Sequence, residues 1–249
     1  MTVPVLVLAA VSLTLFPISL AVAGLLDRLS GPLRAAMLAV WPLPGALALA
    51  SVDGQPPDWL VAVAMLSALF HAWRGLGAED ARDWLSLVAL SAWPLLWAGA
   101  RPPGMAVAEA LALGLPLAAA SLVADGIERR FGAAHARLDL RLAREAPWLA
   151  GLFVSAVLAA TAMPVSPSFF AMLSLVTGQA GGSALTPLAL LGVWFLWSWS
   201  GARLVHGLVP GAPRRVMGGQ DLPSRPARTG AGAYAALAGA GLLIWGLLL

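Results

Sequence analysis

The chain has 249 residues, 60% of them apolar and 11% charged, with a formal net charge of +3. So few charges on so apolar a background exclude an ordinary water-soluble domain. There are no cysteines, which excludes disulfides and thiolate metal sites.

The apolar residues gather in stretches of about twenty, the length a helix needs to cross a ~30 Å hydrocarbon core. Eight spans are expected: 3–26, 33–51, 59–73, 84–100, 105–124, 147–177, 184–206 and 231–249. The pattern predicts an all-α polytopic membrane protein of about eight transmembrane helices, with residues 1–249 forming a single integral membrane domain. The first stretch lacks a basic start, and Asp27 and Arg28 follow it rather than a small-residue cleavage site. It reads as a retained span, not a signal peptide.

All fifteen basic side chains are arginines, and fourteen fall in alternate gaps. Gap one holds Arg28 and Arg34, and gap three Arg74 and Arg82. Gap five holds Arg129, Arg130, Arg137, Arg141 and Arg144. Gap seven, with the end of span seven, holds Arg203, Arg214, Arg215, Arg225 and Arg228. Arg101 alone lies in an even gap. Retained positive charge marks the cytoplasmic side. The expectation is therefore a bacterial-type inner (cytoplasmic) membrane, odd gaps inside and both ends of the chain outside. The arginines read as topology signals and contacts with anionic lipid headgroups. No basic run is interleaved with exposed aromatics, so no nucleic-acid partner is expected.

Gap five mixes charges of both signs and suits a short surface helix, with His135 as a solvated loop residue. Gap seven contains Pro210, Pro213, Pro223 and Pro226 and predicts an irregular loop. Trp59, Trp73, Trp84, Trp148 and Trp245 lie near span ends, the place of an interfacial belt. Trp194, Trp197 and Trp199 lie deeper in span seven and read as packing or lipid contacts; a quinone or pigment contact is the sharper alternative.

Ionisable residues inside spans are functional candidates because their burial is costly. Glu109, about one turn into span five, is either interfacial and solvated or faces a cavity or a partner subunit. His71, near the inner end of span three, reads as interfacial or packed rather than as a proton carrier. Ser200, Arg203 and His206 recur every third residue on one face of span seven. Arg203 either snorkels to the interface or, if buried, takes a carboxylate from a neighbour. No chain of ionisable groups crosses the membrane. No phosphate loop, paired-carboxylate site or metal-ligand spacing is present, so no catalytic residues, cofactor or metal are expected.

Span six reads PWLAGLFVSAVLAATAMPVSPSFFAMLSLVTG. As one helix it would run about 45 Å. Pro164 and Pro167 each remove a backbone donor and clash with the preceding turn, so a discontinuous helix is expected, with Ser166 and Ser168 placed to bond the freed carbonyls. Such breaks survive in a membrane when buried in protein or facing a water-filled cavity, and they often mark ion pathways. A kink used only for packing is the alternative.

This segment resembles the discontinuous helix of the antiporter-like subunits of respiratory complex I, Mrp-type antiporters and membrane-bound hydrogenases. In that family a proline is followed by a small residue near a phenylalanine, then a Lys or Glu. Here Pro164, Val165, Ser166, Pro167, Ser168, Phe169, Phe170, Ala171 and Met172 occupy the pattern. The stretches LLGVWFLWSWSGARLVHGLVPG and WLVAVAMLSALFHAWRGLGAEDARDWLSLVALSAWPLLWAG are similar to neighbouring family helices, so the resemblance covers about residues 59–211. It implies other membrane subunits as partners, and no cofactor in this chain. Two features depart from the family. The chain is about half the family's length, so a complete pair of inverted repeats is not expected in it. The buried lysines, glutamate and histidines of the family's proton path are missing, with Met172 standing where Lys or Glu is expected and Ser86, Leu87, Val88 and Ala89 replacing a polar run. The first reading is an accessory, proton-inert subunit of a complex I-like (NADH:quinone oxidoreductase, Mrp or hydrogenase-type) ion-translocating complex. A second is half of an ion path completed by a partner. The third is a stand-alone small-solute transporter or membrane enzyme unrelated to complex I.

Overall fold

The structure is a computed structural model that describes residues 3–52, 55–98, 101–138, 140–178, 184–210 and 224–248. Its described residues form an all-helical bundle. Helices α1 (Val3–Ser12) and α2 (Ile18–Arg28) occupy the first apolar stretch, and α3 (Gly31–Val40) and α4 (Leu43–Ala50) the second. They are followed by α5 (Asp58–Gly75), α6 (Ala81–Leu95) and α7 (Pro103–Phe131). A short α8 (Leu142–Glu145) leads into α9 (Pro147–Ala160), α10 (Pro167–Thr177), α11 (Leu185–Leu208) and α12 (Ser224–Leu248).

Among the described residues, three helical segments are long and apolar enough to cross a membrane on their own: Gly31–Ala50, Pro103–Phe131 and Leu185–Leu208. The first of these is α3 and α4 together, joined through Trp41 and Pro42, where the proline imposes the kink.

The bundle is organised around α6. From Trp84 to Ala98 every side chain except Leu87 is buried, including Trp84, Trp93 and Trp97. A helix that is apolar all round belongs in the interior. Trp84 is therefore a core residue, not the belt residue expected; its indole donates to Ser200 Oγ of α11 at 2.9 Å. Trp59, Trp73 and Trp148 are exposed, as a belt requires, while the side chain of Trp245 lies outside the described residues. Trp197 is buried and donates to Ser91 Oγ of α6 at 2.5 Å, whereas Trp199 is exposed.

Around α6, α5 packs against α6 and α11, and α7 packs against α3 and α9. The α3–α7 contact is close because Gly114 has no side chain: a Cβ there would lie 2.8 Å from the Leu38 carbonyl oxygen and 3.1 Å from the Ala39 Cα. Small residues let membrane helices approach backbone to backbone. Gly114→Ala is expected to force the two helices apart and destabilise the fold by about 1–3 kcal/mol. A lowered unfolding midpoint in detergent checks this; an unchanged midpoint would show that the backbones separate freely.

Span six is interrupted, and span one is interrupted too. The break between α9 and α10 spans Thr161–Ser166, with Ala162 and Val165 at φ +55° and +78°. The expected single span 3–26 is also broken, between Ser12 and Ile18, with Thr14 at φ +45°. Pro17 cannot continue the helix, and the Phe16 amide donates to Ser67 Oγ of α5 at 3.0 Å instead of to its own helix.

The gaps that hold the arginines meet on one side of the bundle. Arg82 in gap three donates to the Leu29 carbonyl in gap one at 3.1 Å. Glu79 and Ala81 pair through their backbones with Ala136 and Ala134 in gap five. The Ala143 amide bonds the Val209 carbonyl at 3.2 Å, tying gap five to gap seven. Gap five holds a 3-10 turn (Ala136–Leu138) and α8, while its first residues extend α7 to Phe131, ended by Gly132 in the left-handed region. His135 is not simply solvated, since its ring stands 3.8 Å from Glu79. The irregular loop expected over gap seven, 207–230, is helical at both described ends: α11 runs to Leu208 and α12 begins at Ser224, with residues 211–223 outside the described residues.

Candidate functional site

The polar groups of the bundle fall into clusters at its two faces. On the arginine-rich side, a cavity of about 700 Å³ opens among α2, α5, α6 and α11, lined by Asp27, Arg74, Asp83, Ser86 and Arg203 together with apolar residues such as Ala23 and Leu90. The Asp80 side chain caps α6 by accepting from the Arg82 amide at 2.8 Å, and this fixes where Asp83 and Ser86 emerge.

Behind Ser86 lies Arg34, which is 1% exposed. Its guanidinium donates from Nη2 to Ser86 Oγ at 2.7 Å and to the Arg82 carbonyl, while its Nε has no hydrogen-bond partner. Arg82 in turn is paired with Glu128 at 3.2 Å. Sequence reasoning placed Arg34 in a gap as a topology signal; the structure puts it inside the bundle. The available signal was its position: it follows Gly31 and Pro32, a helix start, and so sits one turn into the apolar run.

The opposite face carries a second cluster. Glu109 is 5% exposed. Its Oε1 accepts from Ser174 Oγ of α10 at 2.7 Å and from Arg101 Nε at 3.3 Å. Arg101 also donates to the Ser174 carbonyl at 3.4 Å. A pocket of about 10 Å³, lined in part by Ala46, Leu49 and Ala106, lies beside the pair. The solvated alternative for Glu109 is thus set aside: the carboxylate is buried and paired within the chain. Arg101, the one arginine out of the alternating pattern, and Ser174 went unrecognised as its partners.

Between the two clusters the described helices are apolar apart from hydroxyl groups and His71. His71 is 0% exposed; its Nδ1 bonds the Ser67 carbonyl at 2.9 Å, its ring meets Phe70 edge-on, and its Nε2 has no partner in the protein. Thr14 Oγ1 and Ser19 Oγ, at the first break, are likewise buried without a protein partner. The face proposed for Ser200, Arg203 and His206 divides. Ser200 is buried against Trp84, Arg203 is exposed and donates to the Leu76 carbonyl at the cavity, and His206 is exposed. Arg203 therefore needs no neighbouring carboxylate.

The second break is held by its own serines. Ser166 Oγ donates to the Met163 carbonyl at 2.7 Å and caps α10 by accepting from the Phe169 amide at 3.3 Å. Ser168 donates to the Ala159 carbonyl and lies 2.9 Å from Ser166 Oγ. Trp194 of α11 donates to the Ala162 carbonyl at 3.0 Å. Pro164 and Val165 form the exposed outer edge of the break, and Pro167 is the first residue of α10. Met172, 0% exposed, lies on α10 beyond the break. The arrangement can hold backbone carbonyls and fixed charges in place; it offers no connected series of titratable groups between the two faces among the described residues.

An all-helical bundle with three apolar segments of membrane length and further apolar helices packed around them defines a multi-pass α-helical membrane protein. No family model matches the sequence, and no curated protein does. The fold is nevertheless shared with chains of several solved complexes. One is in the Mrp complex from Dietzia sp. DQ12-45-1b, at a TM-score of 0.81 and 16% identity, over 96% of this chain and 55% of that one. Another is in respiratory complex I from Thermus thermophilus with bound NADH, at 0.69 and 21% identity, over 96% and 52%. A third is in the membrane-bound sulfane sulfur reductase, an archaeal respiratory membrane complex, at 0.73 and 14% identity, over 96% and 52%. This chain spans about half the length of the solved chains it matches. The fold likeness covers 96% of this chain, a larger share than residues 59–211 make up.

Proposed function

We propose that this chain is an antiporter-like membrane subunit of a complex I-like or Mrp-like ion-translocating assembly, and that it packs against proton-pumping partners without conducting protons itself. The observation that carries the second half is Met172. It is fully buried on the helix that restarts after the break, where the resemblance to the antiporter-like family places a Lys or Glu, and a thioether cannot titrate. The fold shared over 96% of the chain with subunits of three such assemblies supports the first half. The apolar middle of the bundle presents a proton with a steep desolvation barrier.

The expected result is a flat trace from the pure protein in vesicles with a pH-sensitive dye and an imposed potential. Co-purification of larger membrane subunits from native membranes is expected alongside it. Proton flux above empty vesicles, abolished by His71→Ala or Glu109→Gln, would overturn the inert reading. Isolation as a single species that transports a small solute would favour the stand-alone alternative.

On this reading the chain makes eight crossings, with α1–α2 and α9–α10 each one interrupted crossing. The arginine-rich face is cytoplasmic, and both ends of the chain lie outside a bacterial-type inner membrane. Since the chain has no cysteine, single cysteines report cleanly. A cysteine at Gln55 should react with an impermeant thiol reagent added outside, and one at Leu138 should be protected. The reverse pattern would invert the orientation.

A further inference from the structure

A groove of about 400 Å³ runs between α7 and α9 on the arginine-rich side, bordered by α12, whose Gly230 packs against Leu152. Its walls are Leu122, Val123, Leu149 and Leu152, its floor is Gly126, and Arg129 and Arg130 stand at one end. From Leu122 to Arg129 is seven residues, roughly 10 Å of helix rise. The apolar part therefore lies at hydrocarbon depth and the guanidinium groups at headgroup depth. Exposed Trp148, next to Leu149, marks the same interface.

The two arginines are available to an anion. Arg129 is bound only loosely, with Nη2 3.7 Å from the Asp125 carboxylate and Nε 3.3 Å from the Asp125 carbonyl oxygen. Its side chain is 70% exposed, and an exposed pair of this kind holds little energy. Arg130 has no carboxylate partner among the described residues. Its Nη1 lies 4.0 Å from where a Cβ on Gly126 would be, so the guanidinium leans back over the groove floor. Asp125 opposes an anion here, but a Cβ on Gly31 would meet its carboxylate oxygen, so it is turned toward α3 and away from Arg130.

We infer that this groove is a binding site for an anionic diacyl phospholipid, with the phosphate on Arg129 and Arg130 and one acyl chain along Leu122, Val123 and Leu152 over Gly126. Charge complementarity selects the occupant: an apolar channel open to the hydrocarbon and ending in two cations at headgroup level matches an anionic lipid better than a zwitterionic one. The inference rests on membrane residence and is independent of the subunit role.

The test is native mass spectrometry of the full-length protein released from mixed micelles of phosphatidylglycerol and phosphatidylcholine with identical acyl chains. About tenfold preferential retention of one phosphatidylglycerol is expected, given two arginines acting at the surface. Arg129→Gln with Arg130→Gln should bring that preference down to the phosphatidylcholine level, and Arg129→Lys with Arg130→Lys should keep most of it. Gly126→Leu should reduce retention by filling the groove. Its Cβ meets Leu149 Cδ1 at an ordinary 3.8 Å, so the fold should survive; Leu122→Trp, at an exposed wall position, is the second groove-filling variant should it not. Equal retention of the two lipids overturns the site, as does an unchanged preference in the double glutamine variant. Displacement by millimolar inorganic phosphate would show a headgroup contact without an acyl chain, and a protein segment found covering Arg130 in place of lipid would assign the groove to a partner. Either overturns the proposal.

Discussion

Replacing Arg101 with alanine is expected to destabilise the protein by roughly 3–5 kcal/mol, the cost of leaving a buried carboxylate without its cation. Glu109 keeps only the Ser174 hydroxyl in that variant. Glu109→Gln should cost less, because the amide oxygen still accepts from Ser174 and Arg101 is partly exposed. Joint replacement by Arg101→Leu and Glu109→Leu should recover much of the loss, since a well-packed apolar pair avoids desolvating two charges. Unfolding midpoints of Arg101→Leu alone, Glu109→Leu alone and the double leucine variant form a cycle whose coupling term isolates the pair. Additive effects would mean that the two side chains act independently. The pair ties the segment before α7 to α7 and, through Ser174, to the far half of the broken helix. Its loss should therefore be felt at the break as well as locally.

How far the sequence reaches depends on the kind of signal. Hydropathy and arginine alternation are long-range averages, and the structure joins gaps one, three, five and seven on one side through bonds such as Arg82 to Leu29 and Ala143 to Val209. The break near Pro164 was readable because two prolines and two serines fall within five residues. The break at Leu13–Pro17 was not, because a single Pro17 in the middle of an apolar run reads as a mere kink, and the group that satisfies the freed amide, Ser67, lies fifty-one residues away. The same distance problem hid the pairing of Glu109 with Ser174, sixty-five residues apart. Trp84 illustrates the converse. Its place at a span end suggested the interface, but α6 is central to the bundle, and burial against Ser200 follows from tertiary position rather than from depth. Arg34 joins both lessons: its charge counted toward topology, and only the approach of α6 shows what holds it.

Met172→Lys is expected to be the most damaging single change on the broken helix. Met172 is fully enclosed, and Ala171 and Leu175 beside it are buried too. A lysine there either carries an unpaired ammonium at a cost of several kcal/mol or gives up its proton and remains an unsatisfied amine. Loss of monodisperse protein, or a large fall in unfolding midpoint, is the expected readout. Met172→Leu, a near volume-conserving exchange, should cost less than about 1.5 kcal/mol and separates charge from packing. The comparison bears directly on function. If the lysine variant folds with an unchanged midpoint, its ammonium has found water or a partner, and the helix keeps the geometry of a proton path. Proton flux through that variant in vesicles would then show that this chain lacks only a titratable group, and that its inertness lies in one side chain. If the variant fails while Met172→Leu folds, the dry packing around α10 is itself the barrier, and inertness belongs to the architecture of the bundle.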